Sequence, residues 1–200
     1  MKEKTYRFVH ILYVLLITNI LSILYLAVGL FALTIVSVVF TNIEISTMLL
    51  NDEIDGYSGI LKIFNEGMKK HFKENKKSSI LTGIYTLTIV IAIFMLRRIQ
   101  MPIASTLNYF FVYLYIVIVI YWAYYSLYVV IKEKNIKYID ALAIMFMKPK
   151  KLFTTTALFA LFMAMGIFRK EFLVILAIAI ISAMFVKINK STIETLEIKR

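Results

Sequence analysis

The chain has 200 residues, of which 61% are hydrophobic and only 18% are charged, and its mean hydropathy is +0.82. Soluble globular proteins are about half apolar and about one quarter charged, so these values exclude an ordinary soluble domain and predict a membrane protein. The chain contains no cysteine, which excludes disulfides, thiolate metal sites and cysteine nucleophiles. In this class of protein the net charge of +11 indicates membrane orientation and does not by itself predict nucleic-acid binding.

The apolar segments predict an all-α protein with six transmembrane helices arranged in three hairpins. A bilayer core about 30 Å thick needs about 20 helical residues, because a helix rises about 1.5 Å per residue. The segments that fit are 8–28, 30–50, 80–96, 103–131, 152–168 and 172–186. The first two form one long apolar stretch, divided near Gly29, which is the only helix-weakening residue in its middle. We expect residues 1–200 to form a single transmembrane domain.

The distribution of lysine and arginine favours six spans over five. Six spans place 19 of the 23 basic residues on one side of the membrane and 4 on the other, whereas five spans divide them 16 to 7 at best. Basic residues concentrate in cytoplasmic loops. This distribution therefore predicts that the N- and C-termini are both cytoplasmic.

The connector at 58–77 is predicted to be a basic amphipathic helix on the cytoplasmic membrane surface. In a helical projection of residues 57–77, the apolar residues share one arc: Tyr57, Ile60, Leu61, Phe64, Met68 and Phe72. The opposite arc carries the lysines that we expect to contact anionic lipid headgroups: Lys69, Lys73, Lys76 and Lys77. The connector at 134–147 has a similar but weaker pattern. The two connectors are either copies of an internal repeat or unrelated segments that look alike. The basis of the second alternative is that lysine and phenylalanine are common wherever a span begins at the cytoplasmic side.

Polar side chains inside the spans are candidate functional groups, because such groups are costly in lipid. The candidates for an intramembrane polar site are Asn19, Ser22 and Glu44. Asn19 and Ser22 either form such a site or hydrogen-bond between packed helices, where each contributes about 0.6 kcal/mol. Glu44 is the only carboxylate in the first apolar stretch. It is either an interfacial residue paired with lysines or a carboxylate that couples transport to protons or cations.

The long span at 103–131 carries an aromatic face formed by Tyr113, Tyr121, Tyr124 and Tyr128. Such a face can stack on a sugar ring or a lipid, or contact a partner. The alternative is an interfacial belt combined with ordinary helix packing.

No catalytic or cofactor-binding pattern is present. The two histidines, His10 and His71, have no metal-ligand spacing, and there is no HExxH, GxSxG or glycine-rich phosphate loop. The sequence therefore predicts that the protein is not an enzyme and that it binds no cofactor or metal.

The six-span layout, the length, the apolar first hairpin and the segment Phe72-Lys73-Glu74-Asn75 resemble the YesL-like family of small bacterial membrane proteins. The resemblance extends over nearly the whole chain but depends on hydropathy and one short motif. The chain departs from the family pattern because its first hairpin has Gly29 but no proline–glycine break and no tryptophan. The resemblance implies a bacterial plasma-membrane protein of unassigned biochemical role that is connected with carbohydrate uptake. It supplies no catalytic residues.

These features predict a non-enzymatic accessory or regulatory subunit. Its expected partners are anionic lipids on the inner face and a membrane protein, such as a carbohydrate transport system, or a second copy of the chain; no nucleic acid is expected. The alternative is a small secondary transporter or a membrane protein that binds a lipid or small molecule. Pro102 and Pro149 both fall in predicted loops, so the spans lack the interruptions typical of a transporter's binding site.

Overall fold

The computed structural model of the chain describes residues 2–29, 34–54, 59–96, 98–99, 102–168 and 178–196. The regular structure of these residues is entirely helical, which confirms the predicted all-α class. The described helices are α1 (Lys2–Val28), α2 (Ile35–Leu50), α3 (Ile60–Glu74), α4 (Lys76–Leu96), α5 (Pro102–Lys132), α6 (Tyr138–Met147), α7 (Pro149–Phe168) and α8 (Ile178–Glu194).

Three helices in the described part of the chain are long and apolar enough to cross a membrane, so the prediction of six such helices is wrong. They are Thr5–Val28 within α1, Lys76–Leu96 and Ile103–Lys132. These three helices coincide with the predicted spans at 8–28, 80–96 and 103–131. Their length and composition are compatible with membrane insertion.

The predicted second span is an interior helix of the protein. α2 has 16 residues and is therefore about 24 Å long, which is shorter than a bilayer core of about 30 Å. Twelve of its 16 residues are buried, and it packs against α1, α3, α4, α5 and α8. A helix that is covered by protein on all sides is apolar all round, as a transmembrane helix is. Hydropathy alone therefore did not distinguish the two.

The last two predicted spans are described in part. α7 covers the predicted span at 152–168, and its side chains are described as far as Phe162. Residues 169–177, which include the beginning of the span predicted at 172–186, lie outside the described residues. α8 begins at Ile178 and continues to Glu194, eight residues beyond the predicted end of the span at 186.

α1 and α2 lie antiparallel, because the beginning of α2 contacts the end of α1 and the residues after α2 contact the beginning of α1. The Thr34 hydroxyl donates a hydrogen bond to the Tyr25 carbonyl at 3.0 Å, and a Cβ atom at Gly29 would overlap the Thr34 side chain. At the opposite end of the helix pair, Arg7 donates to both carboxylate oxygens of Asp52 at 2.8 Å. The hairpin predicted near Gly29 thus forms, although its second helix does not have the length of a span.

α3 has the predicted amphipathic character, but its apolar side contacts protein. Ile60, Phe64 and Met68 are buried in a cluster with residues of α1 and α2, and Tyr25 of α1 donates a hydrogen bond to Asn65 at 2.7 Å. Protein, and not the headgroup layer, therefore covers these three residues of the apolar side. The helix is also shorter than predicted, because α3 ends at Glu74 and α4 begins at Lys76.

α6, in the second connector, differs from α3 in how its apolar residues are used. It buries Ala141, Ile144 and Met145 against neighbouring helices. Its other large apolar residues include Ile139 and Phe146, which are 66% and 62% exposed. The similarity between the two connectors therefore does not extend to the residues that they bury.

α4 and α5 form a hairpin whose far half is widely exposed. α4 is buried mainly along one line of mostly small residues: Ser79, Thr82, Gly83, Thr86 and Ile89. Small residues allow two helices to approach closely, and Trp122 of α5 donates a hydrogen bond to the Thr82 hydroxyl at 3.0 Å. The remaining large apolar side chains of α4 are mostly exposed, as are those of α5 from Ile103 to Tyr113. The other end of α5 lies in the core, where residues 120–128 pack against α2, α6 and α8.

Candidate functional site

Glu44 belongs to a cluster of ionisable side chains where α2 meets α3. His71 Nε2 lies 2.7 Å from Glu44 Oε2, and Lys70 Nζ donates to Glu44 Oε1 at 3.1 Å. The second ring nitrogen, His71 Nδ1, lies 3.6 Å from Glu74 Oε2. The His71 side chain is 2% exposed, whereas that of Glu44 is 26% exposed. The cluster therefore combines two carboxylates and an ammonium group with an imidazole that solvent does not reach directly.

The close approach of α3 to α2 is possible because residue 67 is glycine. A Cβ atom at Gly67 would lie 3.1 Å from the Thr41 methyl carbon and 3.4 Å from Glu44 Oε2. Phe40 of α2 covers the imidazole of His71, with 4.9 Å between the ring centroids. These contacts fix both the distance between the helices and the orientation of the ring.

Two opposing effects determine the pKa of Glu44. Burial of the carboxyl group raises the pKa, but the hydrogen bonds and charges of His71 and Lys70 outweigh burial and hold it below its ordinary value. Glu44 is therefore ionised at neutral pH. Because its pKa is lowered in the folded state, its contribution to stability is present at neutral pH and is lost as the pH falls through the folded-state pKa.

Ser22 connects α1 to α2. The Asn42 amide donates to the Ser22 hydroxyl at 2.8 Å and to the Val38 carbonyl at 2.8 Å. The Ser22 hydroxyl in turn donates to the Thr18 carbonyl at 2.7 Å. Ser22 and Asn42 are buried among apolar side chains. These hydrogen bonds therefore provide partners for polar groups that cannot reach water.

Asn19 connects α1 to α8. Its side-chain oxygen accepts hydrogen bonds from the backbone N–H groups of Ile178 and Ala179, at 2.9 Å and 3.3 Å. These contacts do not involve Glu44, whose partners lie on α3. The three residues predicted as one intramembrane polar site thus take part in three different helix contacts.

The predicted aromatic face is divided between surface and core. Tyr113 is 58% exposed and Tyr121 is half-buried, whereas Tyr124 and Tyr128 lie in the core cluster formed by α2, α5, α6 and α8. The buried pair is not accessible to a partner. Tyr121 donates a hydrogen bond to the Tyr138 carbonyl at 3.2 Å, which connects α5 to α6.

A buried hydrogen-bond network between α5, α7 and α8 was missed in the sequence. Tyr124 donates to the side-chain oxygen of Asn189 at 2.7 Å, and the Asn189 amide donates to the Thr155 hydroxyl at 3.1 Å. Asn189 was overlooked because it follows the predicted end of the last span, among lysines typical of a cytoplasmic tail. The available signal was its helical spacing from Phe185 and Ile193, both of which are also fully buried.

The four lysines predicted to contact lipid headgroups are all exposed. Lys69 and Lys73 lie on α3, whereas Lys76 and Lys77 begin α4. The predicted contact surface is thus divided between two helices.

Two cavities adjoin the cluster at Glu44. The first, the acidic cavity, has a volume of about 530 Å³ and lies between the ends of α2, α5 and α8. Its ionisable lining residues are Glu44, Glu53, Glu133, Lys190 and Glu194. The second, the tyrosine cavity, has a volume of about 430 Å³ and is lined in part by Glu74, Asn75, Tyr125, Lys137 and Tyr138. Glu44 therefore faces one cavity and Glu74 faces the other.

In the described residues, no group of three or more histidine, aspartate or glutamate side chains is placed to hold a metal ion. Comparisons with protein-family models, with curated proteins and with solved structures find no match to this chain. The resemblance to the YesL-like family therefore stays a prediction from the sequence.

Proposed function

We propose that this protein is a non-enzymatic integral membrane protein that docks a membrane-embedded partner as an accessory or regulatory subunit. The observation that carries the proposal is the exposed far half of the α4–α5 hairpin. α4 contains no charged residue between Ser78 and Leu96, and its 21 residues extend over about 31 Å, enough to cross a bilayer core.

The hairpin offers an apolar surface to both lipid and a partner helix. Its small residues are already used where α4 meets α5, so a partner would pack on the opposite side of α4. That side presents Ile84, Leu87, Ile91 and Phe94, each between 46% and 59% exposed. A contiguous apolar surface of this kind is typical of a membrane or protein contact.

The buried polar residues that connect the helices support docking over transport. Ser22, Asn19 and Asn189 hydrogen-bond between helices, which stabilises a fixed arrangement. The exposed lysines on α3 and α4 support contact with anionic headgroups. The bacterial plasma membrane, cytoplasmic termini and a carbohydrate transport system as the partner are proposed from the charge distribution and the family resemblance.

Photo-crosslinking tests the docking surface. We expect a benzophenone amino acid at Ile91 or Phe94 to form the same discrete adduct with one membrane protein, or with a second copy of the chain, in native membranes. Leu61 is the control position, because it is 53% exposed but lies on α3, outside the hairpin. Adducts with lipid alone at both hairpin positions would contradict docking through α4.

A small transporter is the second candidate, and the position of Glu44 at the acidic cavity favours it. A transporter coupled to protons or cations needs an ionisable group on its path. If the protein transports, Glu44→Gln should abolish substrate-dependent proton flux in liposomes that contain only this chain. Glu53→Gln is the matched control, since Glu53 lines the same cavity. We expect no flux with the unmodified protein; a flux that Glu44→Gln alone abolishes would overturn the docking proposal.

A further inference from the structure

The imidazole of His71 lies between two carboxylates that open into different cavities. Its Nε2 contacts Glu44, which lines the acidic cavity, and its Nδ1 faces Glu74, which lines the tyrosine cavity. The ring itself is 2% exposed, whereas the side chains of Glu44 and Glu74 are 26% and 55% exposed. Both carboxylates thus reach solvent, whereas the imidazole is almost completely enclosed.

We propose that Glu44, His71 and Glu74 form a proton relay between the acidic cavity and the tyrosine cavity. The relay is a property of the folded chain alone, and it does not depend on the docking function or on the identity of a partner.

The transfer involves the two nitrogens of one ring. A proton that arrives on Glu74 Oε2 passes to Nδ1 of the neutral ring and gives an imidazolium. Nε2 then releases its own proton to Glu44 Oε2, which passes it to solvent in the acidic cavity. The ring is left protonated on Nδ1. In the reverse direction, Glu44 returns a proton to Nε2 and Nδ1 releases its proton to Glu74, which restores the starting tautomer, so the relay exchanges protons between the two cavities in both directions. No bond between heavy atoms changes, and each step transfers one proton between a carboxylate and an imidazole nitrogen.

The charges around the ring nearly balance. Glu44 and Glu74 together carry two negative charges, and Lys70, which binds Glu44, supplies one positive charge. The cluster is therefore neutral when His71 is an imidazolium and carries one net negative charge when it is not. Among the described residues, the ion pairs of the ring are those with Glu44 and Glu74. Tyr125 of α5 reaches the tyrosine cavity that Glu74 lines.

The geometry of the contact at Nδ1 distinguishes a relay from a static ion pair. The distance of 3.6 Å to Glu74 is longer than a hydrogen bond, and Nδ1 has no hydrogen-bond partner in the described structure. A proton on Nδ1 would attract the Glu74 carboxylate, whose exposed side chain is free of tight packing. Protonation and the approach of Glu74 therefore occur together.

Nitrogen NMR of protein labelled with ¹⁵N-histidine in lipid nanodiscs tests the relay. The chain has only two histidines, so each ring can be assigned by a single substitution. We expect the two His71 nitrogens to show averaged chemical shifts and rapid proton exchange with water, despite the burial of the ring. His10 is the internal reference, because its Nε2 contacts the Ile54 carbonyl at 3.0 Å, and a carbonyl does not take up a proton.

Two variants locate the path. Glu74→Gln should slow proton exchange at His71 at least tenfold without loss of folding, because Glu74 is exposed and contributes little packing. Glu66→Gln, which removes an exposed carboxylate elsewhere on α3, should leave the exchange unchanged. Glu44→Gln, in preparations with an unchanged melting temperature, should fix the ring in one tautomer. A single fixed tautomer or a permanent imidazolium in the unmodified protein would overturn the relay, as would exchange that Glu74→Gln does not alter.

Discussion

Replacement of Ile84 and Ile91 together by lysine is expected to prevent insertion of the α4–α5 hairpin into the bilayer. The two side chains are 59% and 57% exposed, and both lie in the middle part of α4. A lysine near the centre of a transmembrane helix costs about 3 kcal/mol, so two of them cost about 6 kcal/mol. An insertion assay with engineered glycosylation sites, together with alkaline extraction of membranes, measures the effect.

The matched control for this change is Leu61→Lys, which introduces the same charge at a similarly exposed apolar residue of α3. We expect this variant to stay in the membrane fraction, because the polar side of α3 already carries lysines. Full insertion of the Ile84→Lys/Ile91→Lys protein would mean that α4 is covered by something other than lipid or a membrane-embedded partner. The proposed function would then be wrong.

The second large effect is expected from Phe64→Ala, which should destabilise the protein by about 3–5 kcal/mol. Phe64 is fully buried in the cluster shared by α1, α2, α3 and α8, and its ring lies 5.6 Å from that of Tyr25. The loss combines the transfer of a large apolar side chain with the cavity that it leaves. Thermal unfolding in detergent measures the change in stability, and hydrogen exchange of α3 shows where it acts.

Phe72→Ala provides the comparison for this prediction. Phe72 lies on the same helix and on the same apolar arc of the sequence pattern, but it is only half-buried. Its removal should therefore cost much less than the removal of Phe64. Equal losses for the two variants would indicate that lipid, and not α1 and α2, covers the apolar side of α3.

Local sequence patterns predicted much of the secondary structure. The apolar stretches at 8–28, 80–96 and 103–131 correspond to long helices, and the period of the apolar residues in 58–77 identified three of the residues that α3 buries, Ile60, Phe64 and Met68. Both properties depend on residues close together in the chain. A helical period of 3.6 residues determines which side chains share a face without any long-range contact.

The candidate site was predicted less completely. Glu44 was recognised as an unusual carboxylate, and the alternative of a lysine partner agrees with its contact to Lys70. The contact with His71 was not foreseen, because the two residues are 27 positions apart and meet only when Gly67 allows α3 to approach α2. The cluster forms through helix packing, which local sequence patterns do not predict.

The sequence by itself determined the helical class, the apolar composition and part of the buried face of α3, because these follow from local hydrophobic periodicity and charge. Only the tertiary structure decided what covers each apolar face. Lipid and a protein interior select the same side chains, so α2 and α4 look alike in hydropathy although the first is buried by its neighbours and the second is widely exposed. The same reason explains why Tyr124 and Asn189 were not recognised as partners, since a hydrogen bond across 65 residues exists only after the helices have packed.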